Sequence, residues 1–193
     1  MRLRLTKIDE LQFLTCLKHQ VWGSKARRFR DWQIGDQFVF IVNKSLAALA
    51  EVSGTSFDSK QLVWDNGLFP HRIPLKFTYA VLPGQRLPVF GEVRDALTSA
   101  WGPMYGFDIL NQQVLPEAVA ETVVKTIRSC PNGLSAIQQD LDSYIEQARA
   151  QREVMSKPQP KRGRPRKTLP ELREDEKSGT SIEDRHIQRR STP

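Results

Sequence analysis

The composition of the chain changes sharply near residue 150, and this change limits which part of it can fold. Residues 151–193 contain five prolines, no Phe, Tyr or Trp, and 12 Lys or Arg against 7 Asp or Glu. Such a segment cannot bury enough apolar surface to offset the entropy that a chain loses on folding. We therefore expect one folded domain over residues 1–150 and a disordered basic tail over residues 151–193.

The remaining composition excludes several classes of protein. No apolar run approaches the roughly 18 residues that a membrane span needs, so we expect no contact with a membrane. Residues 1–12 lack the apolar core of a secretory signal and include acidic side chains. Cys16 and Cys130 are far apart and form no CxxC pair, which argues against a disulfide framework or a structural zinc. A reducing cytoplasm, with association to the nucleoid, is the expected location.

The apolar pattern of residues 1–150 mixes short strand runs with helical periods. Residues 38–42 (FVFIV) form an apolar run of strand length. Similar reasoning predicts strands at 46–52 and 73–82, helices at 11–21, 90–100, 116–127 and 134–150, and two aromatic loops at 54–71 and 101–111. Short strands with helices packed around them indicate an α+β, barrel-like domain.

The sequence contains none of the common catalytic signatures. His19 and His71 are the only histidines before the tail, and neither belongs to an HExxH motif. A GxSxG motif and a glycine-rich phosphate loop are also missing, and Asp36 and Glu51 fit ordinary roles at strand ends. We predict that the protein is not an enzyme, with no catalytic residues, no metal site and no cofactor.

Five short motifs in a fixed order resemble the EVE branch of the PUA-like superfamily, a relative of the YTH domains that read methylated adenine in RNA. They are Trp22-Gly23, IGDQFVFIV, LAALAEVSG, a tryptophan in a loop (VWDNGLF), and PHRIPLKF, and the resemblance covers roughly residues 8–128. It implies a small bent sheet or pseudo-barrel flanked by helices. The pattern departs at Phe107, where YTH readers carry an arginine that contacts phosphate.

The resemblance also implies an aromatic cage for a modified base. Trp22 and Trp64 match the two cage tryptophans, and Leu68 or Phe69 takes the place of the third wall. Trp101 and Tyr105 are candidates to line the same pocket. The alternative is that each tryptophan belongs to the core, as large aromatic side chains usually do. We favour the cage for Trp22 and Trp64, because both lie at element ends or in loops.

Polar side chains near the tryptophans are candidates to read the base or contact phosphate. Ser24 follows Trp22-Gly23, and Asn66 or Asp65 lies beside Trp64. Lys25 and Arg28 belong to a basic cluster that also includes Arg27 and Arg30. Ordinary turn chemistry explains the small polar residues equally well, and a run of charges is often only a solvated surface.

The tail contains a motif that resembles an AT-hook. Its residues are Arg162, Gly163, Arg164, Pro165 and Arg166, between Lys161 and Lys167. Glycine lets the backbone approach the floor of the minor groove, and proline favours an extended chain. Arginines can then follow a narrow A·T-rich groove, where the negative potential is strongest. The alternative is a basic patch that binds any polyanion.

Together these features predict a non-enzymatic DNA-binding protein that reads a modified base and anchors on A·T-rich duplex. Nucleic acid is the expected partner, with DNA favoured over RNA because of the tail motif. An RNA-binding module for a modified nucleotide and a protein-interaction adaptor are the alternatives. The sequence identifies no protein partner.

Overall fold

The structure is a computed structural model, and it describes residues 1–156, which form six strands and six helices. In chain order the elements are β1 (Leu3–Ile8), α1 (Glu10–His19), β2 (Val21–Ser24), β3 (Gln37–Val42), β4 (Ser45–Val52), β5 (Phe57–Asp58), β6 (His71–Ala80), α2 (Glu92–Trp101), α3 (Gly106–Leu110), α4 (Glu117–Arg128), α5 (Leu134–Gln139) and α6 (Leu141–Ser156). No helix in this part of the chain is long and apolar enough to cross a membrane.

The strands form a mixed, bent sheet in the order β1-β3-β4-β6-β2, with β5 paired to β6. β1 runs parallel to β3, and the other pairs are antiparallel. The register shifts between Phe40 and Ile41 in the β3–β4 pair, and between Leu49 and Ala50 in the β4–β6 pair. Such bulges bend a sheet and increase its twist. The predicted α+β class, a small bent sheet flanked by helices, is confirmed.

Two apolar cores cover the two faces of the sheet, and β3 contributes to both. Phe38 and Phe40 face the first core, which contains α1 and side chains of α5 and α6. Val39 and Ile41 face the second core, which contains α2 and α4. This double burial explains why residues 38–42 are apolar without alternation, as expected of a central strand.

The sequence analysis missed β1, the edge strand of the sheet. Leu3 and Leu5 are fully buried in the second core. Arg4, between them, is also buried; it donates to Asp31 Oδ2 at 2.7 Å and to the Gln112 carbonyl at 2.7 Å. The alternation of Leu3 and Leu5 with polar residues was the available signal, but a buried arginine at the intervening position made it look like a surface segment.

The predicted first helix is too long at its C-terminal end. α1 begins with a capping box between Asp9 and Gln12 and ends at His19. Gln20 adopts a left-handed conformation with φ 52°, which ends the helix. The following residues, including Trp22, therefore enter β2 and pair with β6.

Two further predicted boundaries differ from the structure. The helix predicted over residues 134–150 is broken at Asp140 into α5 and α6, and α6 continues to Ser156, beyond the predicted domain boundary. The second aromatic loop, residues 101–111, instead contains the last residue of α2 and all of α3. The division into two domains stays a prediction.

Candidate nucleic-acid interface

A basic loop connects β2 to β3 and presents four cations to solvent. Ser24 begins the loop: its Oγ accepts a hydrogen bond from the Ala26 N–H at 3.1 Å. Phe29 is buried, and its ring packs edge-on against Trp32 at 5.2 Å. One aromatic anchor therefore holds the loop on the domain, while its cations stay exposed: Lys25, Arg27, Arg28 and Arg30.

A cavity of about 380 Å³ lies beside this loop, and we call it the arginine cavity. Its lining residues come from the basic loop and from the β5–β6 pair: Arg27, Phe29, Arg30, Ser56, Phe57, Asp58 and His71. Phe57 leaves 46% of its surface exposed. The cavity thus combines an accessible aromatic side chain with two exposed guanidinium groups.

An acid–histidine pair forms one side of the arginine cavity. Asp58 and His71 are paired across β5 and β6, and His71 Nδ1 lies 2.6 Å from Asp58 Oδ1. The hydrogen bond from His71 holds the pKa of Asp58 below its ordinary value, and the charge of Arg27, 3.6 Å away, acts in the same direction. Asp58 therefore stays ionised and offsets part of the positive charge around the cavity.

Trp22 lies in β2 and is half-buried against the first core. Its ring centroid is 5.5 Å from that of Phe38 and 6.0 Å from that of Phe40. Its indole Nε1 is buried and has no hydrogen-bond partner within residues 1–156. A buried donor without a hydrogen-bond partner is uncommon in folded proteins.

Trp64, the second predicted cage residue, is only 4% exposed and belongs to the first core. Its ring packs edge-on against Phe69 at 5.2 Å, and the Arg72 guanidinium lies 5.4 Å from its centroid. It also forms a side-chain hydrogen bond with Cys16, whose pKa is raised to about 12 by burial. Trp64 therefore contacts protein around its ring instead of presenting an open face.

The structure does not pair the two tryptophans. A Cβ atom on Gly23 would lie 2.5 Å from Trp64 Cη2, so Trp64 packs against the backbone of β2 at Gly23. Trp22 is the neighbouring residue, but its ring packs on Phe38 and Phe40, whereas the Trp64 ring packs on Phe69. Among the ring contacts of residues 1–156, none joins Trp22 to Trp64. A sandwich of these two rings is not present in this structure.

The structure places some of the other residues predicted to contact a ligand near Trp64 close together, and it gives others a structural partner. Lys25 Nζ lies 5.5 Å from the centre of the Phe69 ring, and Leu68 is exposed at the surface. Asp65 pairs with Arg149 at 3.3 Å, which gives it a structural partner. Asn66 occupies the exposed tip of the turn between Trp64 and Gly67.

Trp101 and Tyr105 do not line the same pocket as Trp22 and Trp64. Both pack against the second core, whereas Trp22 and Trp64 pack in the first. The sheet separates the two cores, so the structure does not bring these four side chains together. The order of aromatic residues along the chain does not reveal which face of a bent sheet each one covers.

Arg28 is predicted to contact a base or phosphate, and in the structure it is exposed and has one intramolecular partner. Its Nη1 donates to the Leu110 carbonyl at 2.6 Å, which ties the basic loop to the end of α3. The AT-hook-like residues 162–166 lie outside the described residues.

The sequence analysis missed three residues that line the arginine cavity. Phe57, Asp58 and His71 were not chosen as site residues, because β5 is only two residues long and has no apolar pattern. The available signal was an aromatic residue beside an acid in a loop, followed by a histidine at the start of a strand. Only the pairing of β5 with β6 places them beside Arg27 and Arg30.

No family model matches the chain, and no curated protein matches it. Similar solved structures include a YTH domain of Zygosaccharomyces rouxii MRB1 in complex with N6-methyladenosine RNA. That pair shares 15% identity over 64% of this chain and 84% of the other, with a TM-score of 0.45.

Two further similar structures are the Mmi1 YTH domain and protein Atu2648 from Agrobacterium tumefaciens. The first shares 11% identity over 66% of this chain and 75% of the other, with a TM-score of 0.48. The second shares 14% identity over 65% and 92%, with a TM-score of 0.42. These are distant likenesses, and they transfer no ligand to this chain.

Proposed function

We propose that the folded part of this chain is a non-enzymatic nucleic-acid-binding module that holds one base in the arginine cavity. The observation that carries this proposal is the position of Phe57, an exposed aromatic ring, beside Arg27 and Arg30. Nucleic-acid sites combine these two elements, because bases stack on aromatic rings while cations contact the phosphates.

The cavity contains groups for both kinds of contact. Phe57 provides a face for stacking, which contributes about 1–3 kcal/mol per base. Arg30 has no ion-pair partner within residues 1–156, and Arg27 is paired only with exposed Asp58, so both can reach a phosphate. The cavity volume of about 380 Å³ leaves room for a planar base.

We propose Trp22 as a second residue that contacts the bound nucleic acid. The proposed ligand is still a modified base. An acceptor atom on the base, a sugar or a phosphate would satisfy the buried N–H of Trp22. A series of ring contacts leads from the cavity to Trp22. Phe29 contacts Trp32, Trp32 contacts Phe38, and Phe38 contacts Trp22. Removing only the N–H, with Trp22→Phe, should lower affinity if this contact forms.

The choice between RNA and DNA has to be made by experiment. The sequence favoured DNA because of residues 162–166, and the described residues provide no support for that preference. RNA is the alternative, and the YTH-domain complexes among the similar structures contain RNA. Both nucleic acids therefore enter the test on equal terms.

The test is fluorescence anisotropy with short labelled oligonucleotides. Single-stranded RNA and DNA are each tested with adenine and with N6-methyladenine, and duplex DNA is added as a fifth probe. Phe57→Ala should weaken binding about 5- to 150-fold, which corresponds to the stacking energy of one base. Replacing Arg27 and Arg30 by Ala should also reduce the salt dependence, by about 0.7 in the log–log slope for each phosphate that an arginine neutralises on a single strand.

Lys125→Ala is the matched control, because Lys125 is an exposed cation on α4 outside the arginine cavity. Its affinity should equal that of the wild type. Equal losses of affinity from Lys125→Ala and from the arginine variants would reduce the interaction to general charge attraction. Wild-type affinity of Phe57→Ala for every probe would refute the base-binding cavity.

A further inference from the structure

An apolar groove lies between β3, α2 and α3, on the second core and apart from the arginine cavity. Its volume is about 630 Å³. The buried side chains of Ile41 and Ile109 contribute to its lining. Four large apolar side chains around it leave 58–66% of their surface exposed: Phe90, Met104, Phe107 and Leu110. A soluble domain rarely exposes so many neighbouring apolar residues unless another molecule covers them.

The charged residues that line this groove are all cations. They are Lys7 on β1, Lys44 between β3 and β4, and Arg94 on α2. All three are exposed, and none of their side chains forms an ion pair or a hydrogen bond in residues 1–156. No carboxylate belongs to the lining. The groove thus presents apolar contact area together with unneutralised positive charge.

We propose that this groove docks a segment of a protein partner that carries apolar anchors flanked by Asp or Glu. Inserted apolar side chains would cover Met104 and Phe107, as an amphipathic helix covers a hydrophobic groove. Acidic side chains beside the anchors would meet Lys7, Lys44 and Arg94. Such complementary charge at the rim guides the orientation of a partner and raises its association rate.

The lining favours this occupant over three others. A symmetric contact with a second copy would bring the same unneutralised cations together, since a two-fold interface pairs a patch with itself. A bilayer presents no side chains to fill a concave groove. A single-stranded nucleic acid could stack its bases on Phe90 and Phe107, so an RNA oligonucleotide is tested as a competing occupant. The aliphatic part of the lining favours apolar side chains over bases; it comprises Val89, Met104, Ile109 and Leu110.

The probe is a random peptide library displayed on phage and selected against the full-length chain. Selected peptides are resynthesised and their affinities measured for the wild type, for Met104→Ser/Phe107→Ser and for Lys7→Glu/Lys44→Glu. Both double variants change exposed side chains, and thermal melting checks that each one folds. The charge-reversed variant keeps the test decisive if the apolar variant melts early. Lys125→Glu is the matched control for charge.

The proposal expects peptides in which acidic residues flank large apolar ones. Their affinity should fall roughly tenfold or more in both double variants and stay unchanged in Lys125→Glu. Selection of no peptide, of peptides without acidic residues, or of peptides insensitive to the groove variants would overturn it. The proposal would also be overturned if the Met104→Ser/Phe107→Ser variant lost binding to vesicles of anionic phospholipid, or to an unmodified RNA oligonucleotide, while Lys125→Glu kept it.

Discussion

At the scale of single residues, Gly23 shows how closely Trp64 packs on β2. A Cβ atom there would lie 2.5 Å from Trp64 Cη2 and 2.8 Å from Phe69 Cβ. Gly23→Ala should therefore destabilise the domain by about 1–3 kcal/mol, the usual cost of overpacking. Urea unfolding measures the change. Gly84→Ala is the control, because a Cβ atom at Gly84 meets nothing within 4 Å. Equal stability of the two variants would contradict the packing described for Trp64.

A second prediction at this scale concerns the Asp58–His71 pair. Because His71 lowers the pKa of Asp58, the ionised Asp58 carboxylate stabilises the fold at pH values above the ordinary carboxyl pKa of 3.8. That stabilisation is lost as the pH falls through the lowered pKa. NMR titration should place the Asp58 pKa below 3.8 in the wild type and nearer to it in His71→Phe. An unchanged Asp58 titration in His71→Phe would refute the pairing.

Single residues also show where sequence reasoning reaches its limit. The importance of Trp22 and Trp64 was predicted, yet a tryptophan in a loop can turn inward as readily as outward. Trp64 turns inward because Gly23 leaves space for its ring, a pairing across 41 positions that no local pattern encodes. Phe57, which the sequence analysis did not select, is the aromatic residue that is exposed at the arginine cavity.

At the scale of elements, β1 is predicted to be essential although it lies at a sheet edge. Leu5 is fully buried in the second core, so Leu5→Ala should cost about 2–5 kcal/mol. Lys7→Ala on the same strand changes an exposed side chain and should stay within about 0.5 kcal/mol of the wild type. Chemical denaturation compares the two. Similar losses of stability, or none in Leu5→Ala, would contradict the burial of this strand.

The elements that could be predicted were those with uninterrupted local signals. β3 is a continuous apolar run, and α4 combines an initial proline with apolar residues at helical spacing. β2 and β5 could not be predicted, because they have four and two residues and exist through their pairing with β6. β5 supplies Phe57 and Asp58 to the arginine cavity, so this side of the cavity was missed, whereas the basic cluster with Arg27 and Arg30 was noted from the sequence.

At the scale of the whole molecule, the proposals assign separate surfaces to two kinds of partner. The arginine cavity adjoins the first core, whereas the apolar groove lies on the second, with the sheet between these cores. The hydrogen bond from Arg28 to the Leu110 carbonyl, which joins the basic loop to the end of α3, is unchanged in the variants of either surface. Variants of one surface should therefore leave binding at the other unchanged.

The most direct test of the central claim is an NMR titration of the full-length chain with the tightest-binding oligonucleotide. Amide signals of Arg27, Phe57, Asp58 and His71 should shift in proportion to occupancy. At equal concentration the shifts of Arg27, Asp58 and His71 should be smaller in Phe57→Ala, in line with its weaker binding. Shifts confined to residues around Met104, or to residues beyond 156, would place the nucleic acid elsewhere and contradict a base-binding arginine cavity.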